Sequence, residues 1–129
     1  MKKIEMIVER TNTGYSAYAS DYPVCTTGGN LQELTSNMLE VMNFYYEEME
    51  DKSRIITEKD LKITLDLPQF FDFYKVINAK ALSERIGMNQ SLLAQYISGI
   101  KKPSSTQTRR ILQGVQKIGK ELAEINFLL

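Results

Sequence analysis

Asn78-Ala79-Lys80-Ala81-Leu82-Ser83-Glu84-Arg85-Ile86-Gly87-Met88-Asn89-Gln90-Ser91-Leu92-Leu93-Ala94-Gln95-Tyr96-Ile97-Ser98-Gly99 is the stretch on which the reading of the chain turns. A short helix capped by Asn78 and packed through Leu82 and Ile86 is predicted to end at Gly87, where a left-handed backbone costs glycine little. A second short helix, capped by Asn89, packs through Leu93, Tyr96 and Ile97 and ends at Gly99. Two short helices joined through a glycine at this interval read as a helix-turn-helix, whose second helix enters the DNA major groove with its amino-terminal residues on base edges.

With Leu93 and Tyr96 turned inward, Asn89, Gln90, Ser91, Ala94 and Gln95 face outward. A Gln amide bonds adenine bidentately, and Ser or Asn serves bases or phosphate. Lys80, Arg85, Lys101, Lys102, Arg109 and Arg110 stand around this face and suit phosphate contacts, which position a protein without reading sequence. A plain helical bundle with a basic polar face would leave the agreement of spacing, caps and charge unexplained.

Beyond Gly99, Pro103-Ser104-Ser105 starts another helix with the stripe Ile111, Leu112, Val115, Ile118 and Leu122, which Gly114 and Gly119 are expected to bend. The tail Ile125-Asn126-Phe127-Leu128-Leu129 is apolar enough to need cover, from its own core or from a dimer partner. Before Asn78, Pro68 suits a first helical position, so a helix is expected from Pro68 to Ile77, burying Phe70, Phe71, Phe73 or Tyr74, and Ile77.

The amino-terminal half follows a different period. Ile4, Met6 and Val8 fall on one side of an extended chain, with Lys3, Glu5 and Glu9 on the other. Turn residues Thr11-Asn12-Thr13-Gly14 and the Asp21-Tyr22-Pro23 corner separate two further strands, Tyr15 to Ser20 and Val24 to Thr27. After Gly28-Gly29, the stripe Leu31, Leu34, Met38, Met42, Tyr45 and Met49 marks an amphipathic helix from about residue 31 to 49, with Asn30 and Glu33 as a capping box. The charged run Glu47 to Lys59 reads as a solvated connection, and Leu61, Ile63 and Leu65 as a fourth strand. The expected fold class is α+β: a β-β-β-α-β module over residues 1–66, then an all-α helix-turn-helix domain over residues 67–129.

Sixteen basic and sixteen acidic side chains cancel over the 129 residues, but not within each half. Residues 1–66 hold seven basic against twelve acidic groups, a net of −5, and residues 67–129 hold nine against four, a net of +5. Such a division suggests two surfaces with different partners, the basic one for a polyanion. The absence of His and the single Cys25 exclude Cys/His zinc sites, Cys/His dyads and Ser/His/Asp triads. A two-metal nuclease would need converging carboxylates. The acids here read instead as a solvated face, Glu40, Glu47, Glu48 and Glu50 on the helix and Glu5, Glu9 and Asp66 on the strands. No catalytic residue, metal or cofactor is expected. Tyr15, Tyr18, Tyr22, Tyr45 and Tyr46 are either core or interface residues, and the first three are the candidates for binding a protein partner. No apolar run approaches the ~18 residues of a membrane span. The start Met1-Lys2-Lys3-Ile4-Glu5 has no signal core, so a soluble cytoplasmic protein without a membrane partner is expected.

Two resemblances combine these readings. Ala81 to Ser104 resembles the helix-turn-helix of phage repressor and Cro-like regulators. The earlier unit, through Gly14-Tyr15-Ser16-Ala17-Tyr18 and Thr27-Gly28-Gly29-Asn30-Leu31-Gln32-Glu33, looks like the HicB antitoxin domain. The resemblance implies a degraded, partial RNase H-like sheet that binds and occludes HicA, a small mRNA-cleaving toxin. It also implies repression of the toxin-antitoxin operon through operator DNA. One helix-turn-helix covers too few base pairs for useful specificity, so a homodimer or a higher even-numbered oligomer is expected on the DNA. The alternative is a stand-alone helix-turn-helix regulator whose first domain senses a ligand or oligomerises.

Overall fold

Ile4, Met6 and Val8 are buried and the residues between them only half so, the period-two pattern of a strand covered on one face. The computed structural model describes residues 2–50 and 54–129. In it β1 (Ile4–Thr11) pairs antiparallel with β2 (Gly14–Ala19), which pairs antiparallel with β3 (Cys25–Gly28), so the expected meander forms. β4 (Leu61–Leu65) lies parallel to β1 and completes the order β3-β2-β1-β4. The fold is thus α+β, a four-stranded mixed sheet with five helices among the described residues.

α1 (Leu31–Tyr45) covers the sheet face that carries Ile4, Met6, Val8, Ala17 and Ala19, and buries Leu34, Met38 and Met42 against it. Asn30 accepts the Glu33 N–H at 2.8 Å and so supplies its half of the expected capping box. Gly28 lets the helix approach, because a Cβ there would stand 2.6 Å from the Leu34 Cα. The helix was expected to continue to Met49, but at Tyr46–Glu50 the chain widens into a π turn. Tyr46 then continues the buried stripe in place of Tyr45, and Met49 is left exposed.

The connection to β4 is more than a solvated run. Ile56 is buried, and its backbone is held at both groups by one side chain: the Asn43 Oδ1 accepts its N–H at 2.6 Å and the Asn43 Nδ2 donates to its carbonyl at 3.1 Å. Residues 51–53 of that run lie outside the described residues. In β4, an edge strand, Leu61 is buried but Ile63 is exposed.

α2 (Leu67–Phe73) is shorter than the expected Pro68–Ile77 helix; it buries Leu67 and Phe71 and closes with a turn in which the Ile77 N–H reaches the Tyr74 carbonyl at 3.0 Å. Its Gln69 side chain works as a strand residue would. Oε1 accepts the Arg10 N–H at 2.8 Å and Nε2 donates to the Arg10 carbonyl at 2.7 Å, which extends the β1 ladder past the end of β4. The Arg10 guanidinium in turn lies over the rings of Tyr15 and Phe73, at 4.7 and 5.4 Å. These ties place α2 with the sheet. The chain accordingly divides into compact units Met1–Phe73 and Tyr74–Leu129, a boundary after Phe73 where the sequence reading put it after Asp66. Asp72 moves with α2, so the two units carry net charges of −6 and +6.

In the second unit, α3 (Ala79–Ile86) is capped by Asn78, which accepts the Ala81 N–H at 3.0 Å, and ends at Gly87 with φ +66°. α4 (Gln90–Ser98) follows, then α5 (Ser105–Ala123), capped by Ser104 through the Gln107 N–H at 3.1 Å. Leu82, Met88, Leu93, Tyr96 and Ile111 are buried. α5 runs unbroken through both of its glycines, so neither ends it. Gly114 is instead a point of close approach, where a Cβ would meet the Ile86 Cγ2 at 2.3 Å. The tail forms a 3-10 turn at Glu124–Leu128 and leaves Phe127, Leu128 and Leu129 exposed, so it does not close its own core. No helix among the described residues is long and apolar enough to cross a membrane.

Candidate functional site

The outward row on α4 is built by its cap and its two core anchors. Asn89 accepts the Leu92 N–H at 3.1 Å and fixes the start of the helix, while Leu93 and Tyr96 fix its rotation by burial. Gln90, Ser91, Ala94 and Gln95 are exposed as a result, one pair a turn above the other. The Asn89 side-chain oxygen is committed to the cap, which leaves its NH2 as the outward donor.

The basic residues expected around this row have different fates. Lys80 on α3, Lys101 and Lys102 after α4, and Arg109 on α5 are exposed. Arg110 has internal work: its guanidinium donates to the Ile86 and Gly87 carbonyls at 2.9 and 2.6 Å, satisfying groups left over at the end of α3, and to the Gln107 Oε1 at 3.3 Å. Arg85 is paired bidentately with Glu121 of α5, at 2.9 and 2.8 Å. That hydrogen bond raises the Arg85 pKa and lowers that of Glu121, and the charges of the pair reinforce both shifts. Both side chains are about half exposed, so the pair fixes orientation more than it adds stability.

The three tyrosines singled out in the first unit do not gather on one surface. Tyr15 and Tyr22 pack against the core on the α1 side. The Tyr22 ring lies 5.3 and 5.7 Å from those of Tyr45 and Tyr46, and its hydroxyl is 2.7 Å from the Tyr46 hydroxyl. Only Tyr18 of the three points to the other sheet face, where it is 40% exposed. Partial burial raises its pKa, and the carboxylates of Asp66, Glu9 and Glu5 raise it further. These acids were visible in the sequence as strand residues, but their convergence on Tyr18 depends on strand register, which alternation alone does not give. Among the described residues, no three of the Asp, Glu and Cys side chains gather so as to hold a metal ion. Comparison with protein-family models, with curated proteins and with solved structures gives no match.

Proposed function

We propose that the chain is a non-enzymatic antitoxin that also represses its own operon. In this reading the first unit is a partial RNase H-like, HicB-like module that binds and occludes a small HicA-like, mRNA-cleaving toxin. The second unit is a helix-turn-helix domain that binds operator DNA as a homodimer or a higher even-numbered oligomer. The observation that carries the proposal is the division of charge, −6 on one compact unit and +6 on the other. A protein that handles RNA is basic and suits the acidic unit, whereas DNA suits the basic one. The capped row Gln90, Ser91 and Gln95 supports base reading, and the uncovered apolar tail supports self-association.

The stand-alone regulator with a ligand-sensing first domain finds less support. Two clefts beside α1, of about 290 and 270 Å³, are open grooves at the lower end of the roughly 300–1,000 Å³ usual for small-molecule sites. The test is coexpression with the product of a small basic reading frame adjoining the gene, scored by growth rescue and copurification, together with a mobility-shift assay on the upstream DNA. Rescue together with a shifted operator is the expected result. An operator shift without rescue or copurification would favour the stand-alone regulator, and rescue without a shift would remove the repressor half.

A further inference from the structure

α1 covers one face of the first unit's sheet, and the opposite face has an unusual centre. A solvated face of an antiparallel sheet ordinarily carries polar residues. Here Ile7 of β1 stands directly across from Tyr18 of β2, an apolar cross-strand pair with the phenol 40% exposed. Glu5 and Glu9 flank Ile7 two residues away on the same face, and Asp66 continues it past β4, its N–H bonded to the Val8 carbonyl at 2.9 Å. Two of these acids are already held in place. The Thr64 hydroxyl donates to Glu5 at 3.1 Å, and the Gln69 N–H donates to Asp66 at 3.1 Å. Lys62 stands opposite Glu5 at the margin.

We propose that this sheet face is the docking surface for a basic protein partner, with Tyr18 and Ile7 as its apolar centre and Glu5, Glu9 and Asp66 receiving the partner's Lys and Arg side chains. The proposal rests on the antitoxin reading and names the surface that reading leaves open. An aromatic anchor inside a polar ring is the arrangement in which binding energy concentrates, since the ring excludes water from the anchor. Tyrosine supplies contact area with few rotors to freeze, and pre-positioned carboxylates reduce the ordering cost of association. Charge complementarity is supplied by the net −6 of the unit. The rival surface is the groove between α1 and β3, where Phe44 is 64% exposed. Its lining holds one carboxylate, Glu40, whereas three surround Tyr18.

The experiment compares full-length wild type, Tyr18→Ala, Glu9→Lys and Glu40→Lys for binding to the product of the adjoining basic reading frame, by calorimetry at two salt concentrations. Glu9→Lys and Glu40→Lys change net charge equally, so they separate a site from a diffuse field. Circular dichroism and operator binding check each fold, and Tyr18→Ala and Glu9→Lys are scored independently. The expected result is at least about tenfold weaker binding for each sheet-face variant and less than about twofold change for Glu40→Lys. Wild-type binding with unaffected sheet-face variants, or equal losses from Glu9→Lys and Glu40→Lys, would overturn the docking surface and leave the antitoxin reading standing. No wild-type binding at all would remove both.

Discussion

At the scale of single residues, the two side-chain amides Gln69 and Asn43 do what strands do elsewhere, each holding both the N–H and the carbonyl of one backbone residue. Gln69→Ala would strip both partners from a half-buried Arg10 backbone, so it should cost about 1–3 kcal/mol in urea unfolding. Gln69→Glu keeps an acceptor for the N–H but sets a carboxylate against the carbonyl, and should not restore wild-type stability. An unchanged unfolding midpoint for Gln69→Ala would show that water replaces the amide without loss. Neither amide was legible in the sequence, because Gln69 meets Arg10 across fifty-nine residues and its chemistry has no local signature. The caps Asn30, Asn78 and Asn89 were legible, because each bonds an N–H three residues on. On the proposed DNA-reading row, Gln90→Ala should cost about 1–3 kcal/mol on the operator and little on random DNA, measured by fluorescence anisotropy. Equal losses on both would remove Gln90 from base reading.

At the scale of elements, α5 tests the difference between a glycine that makes room and one that does not. Gly114 and Gly119 sit in the same helix, and alanine improves helix propensity at either site by about 1 kcal/mol. At Gly119 nothing lies within 4 Å of the new methyl, so Gly119→Ala should raise stability by about 0.5–1 kcal/mol. At Gly114 the methyl would stand 2.3 Å from the Ile86 Cγ2, a branch close to the α3 backbone with a stiff χ1. Gly114→Ala should therefore destabilise, by about 1–3 kcal/mol net, because α3 must shift off α5. Thermal unfolding of the two variants decides it, and the same sign for both would refute the close-approach role. The sequence showed these glycines only as possible helix bends, since which of them meets another helix is a matter of tertiary packing. Periodicity did show α1, α3 and α4, whose stripes are internal to each helix. It missed the π turn after α1 and the early end of α2, where burial depends on what the neighbouring elements leave uncovered.

At the scale of the whole molecule, the charge division is sharper than the sequence reading made it, because Gln69 and the Arg10–Phe73 contact bring α2 and Asp72 into the acidic unit. The two-part organisation was legible from composition; the place of the cut was not, since it depends on one side chain's long-range bonds. If the basic unit binds DNA as proposed, its tethered neighbour imposes a measurable electrostatic cost. The full chain has no net charge, while Tyr74–Leu129 alone carries +6. A fragment of residues 74–129, first shown by circular dichroism to keep its helices, should therefore bind random DNA more tightly than the full chain at low salt. The gap should close as the Debye length shrinks from about 30 Å at 0.01 M to about 8 Å at 0.15 M salt, where a neighbouring unit's charge is largely screened. The phosphate contacts belong to the fragment itself, so raising the salt should weaken both proteins, with the fragment showing the steeper dependence because it also loses its unopposed long-range attraction. Anisotropy titrations of both proteins against a mixed-sequence duplex across that range provide the measurement. Coincident curves at low salt would mean that the acidic unit stays electrostatically remote from the DNA.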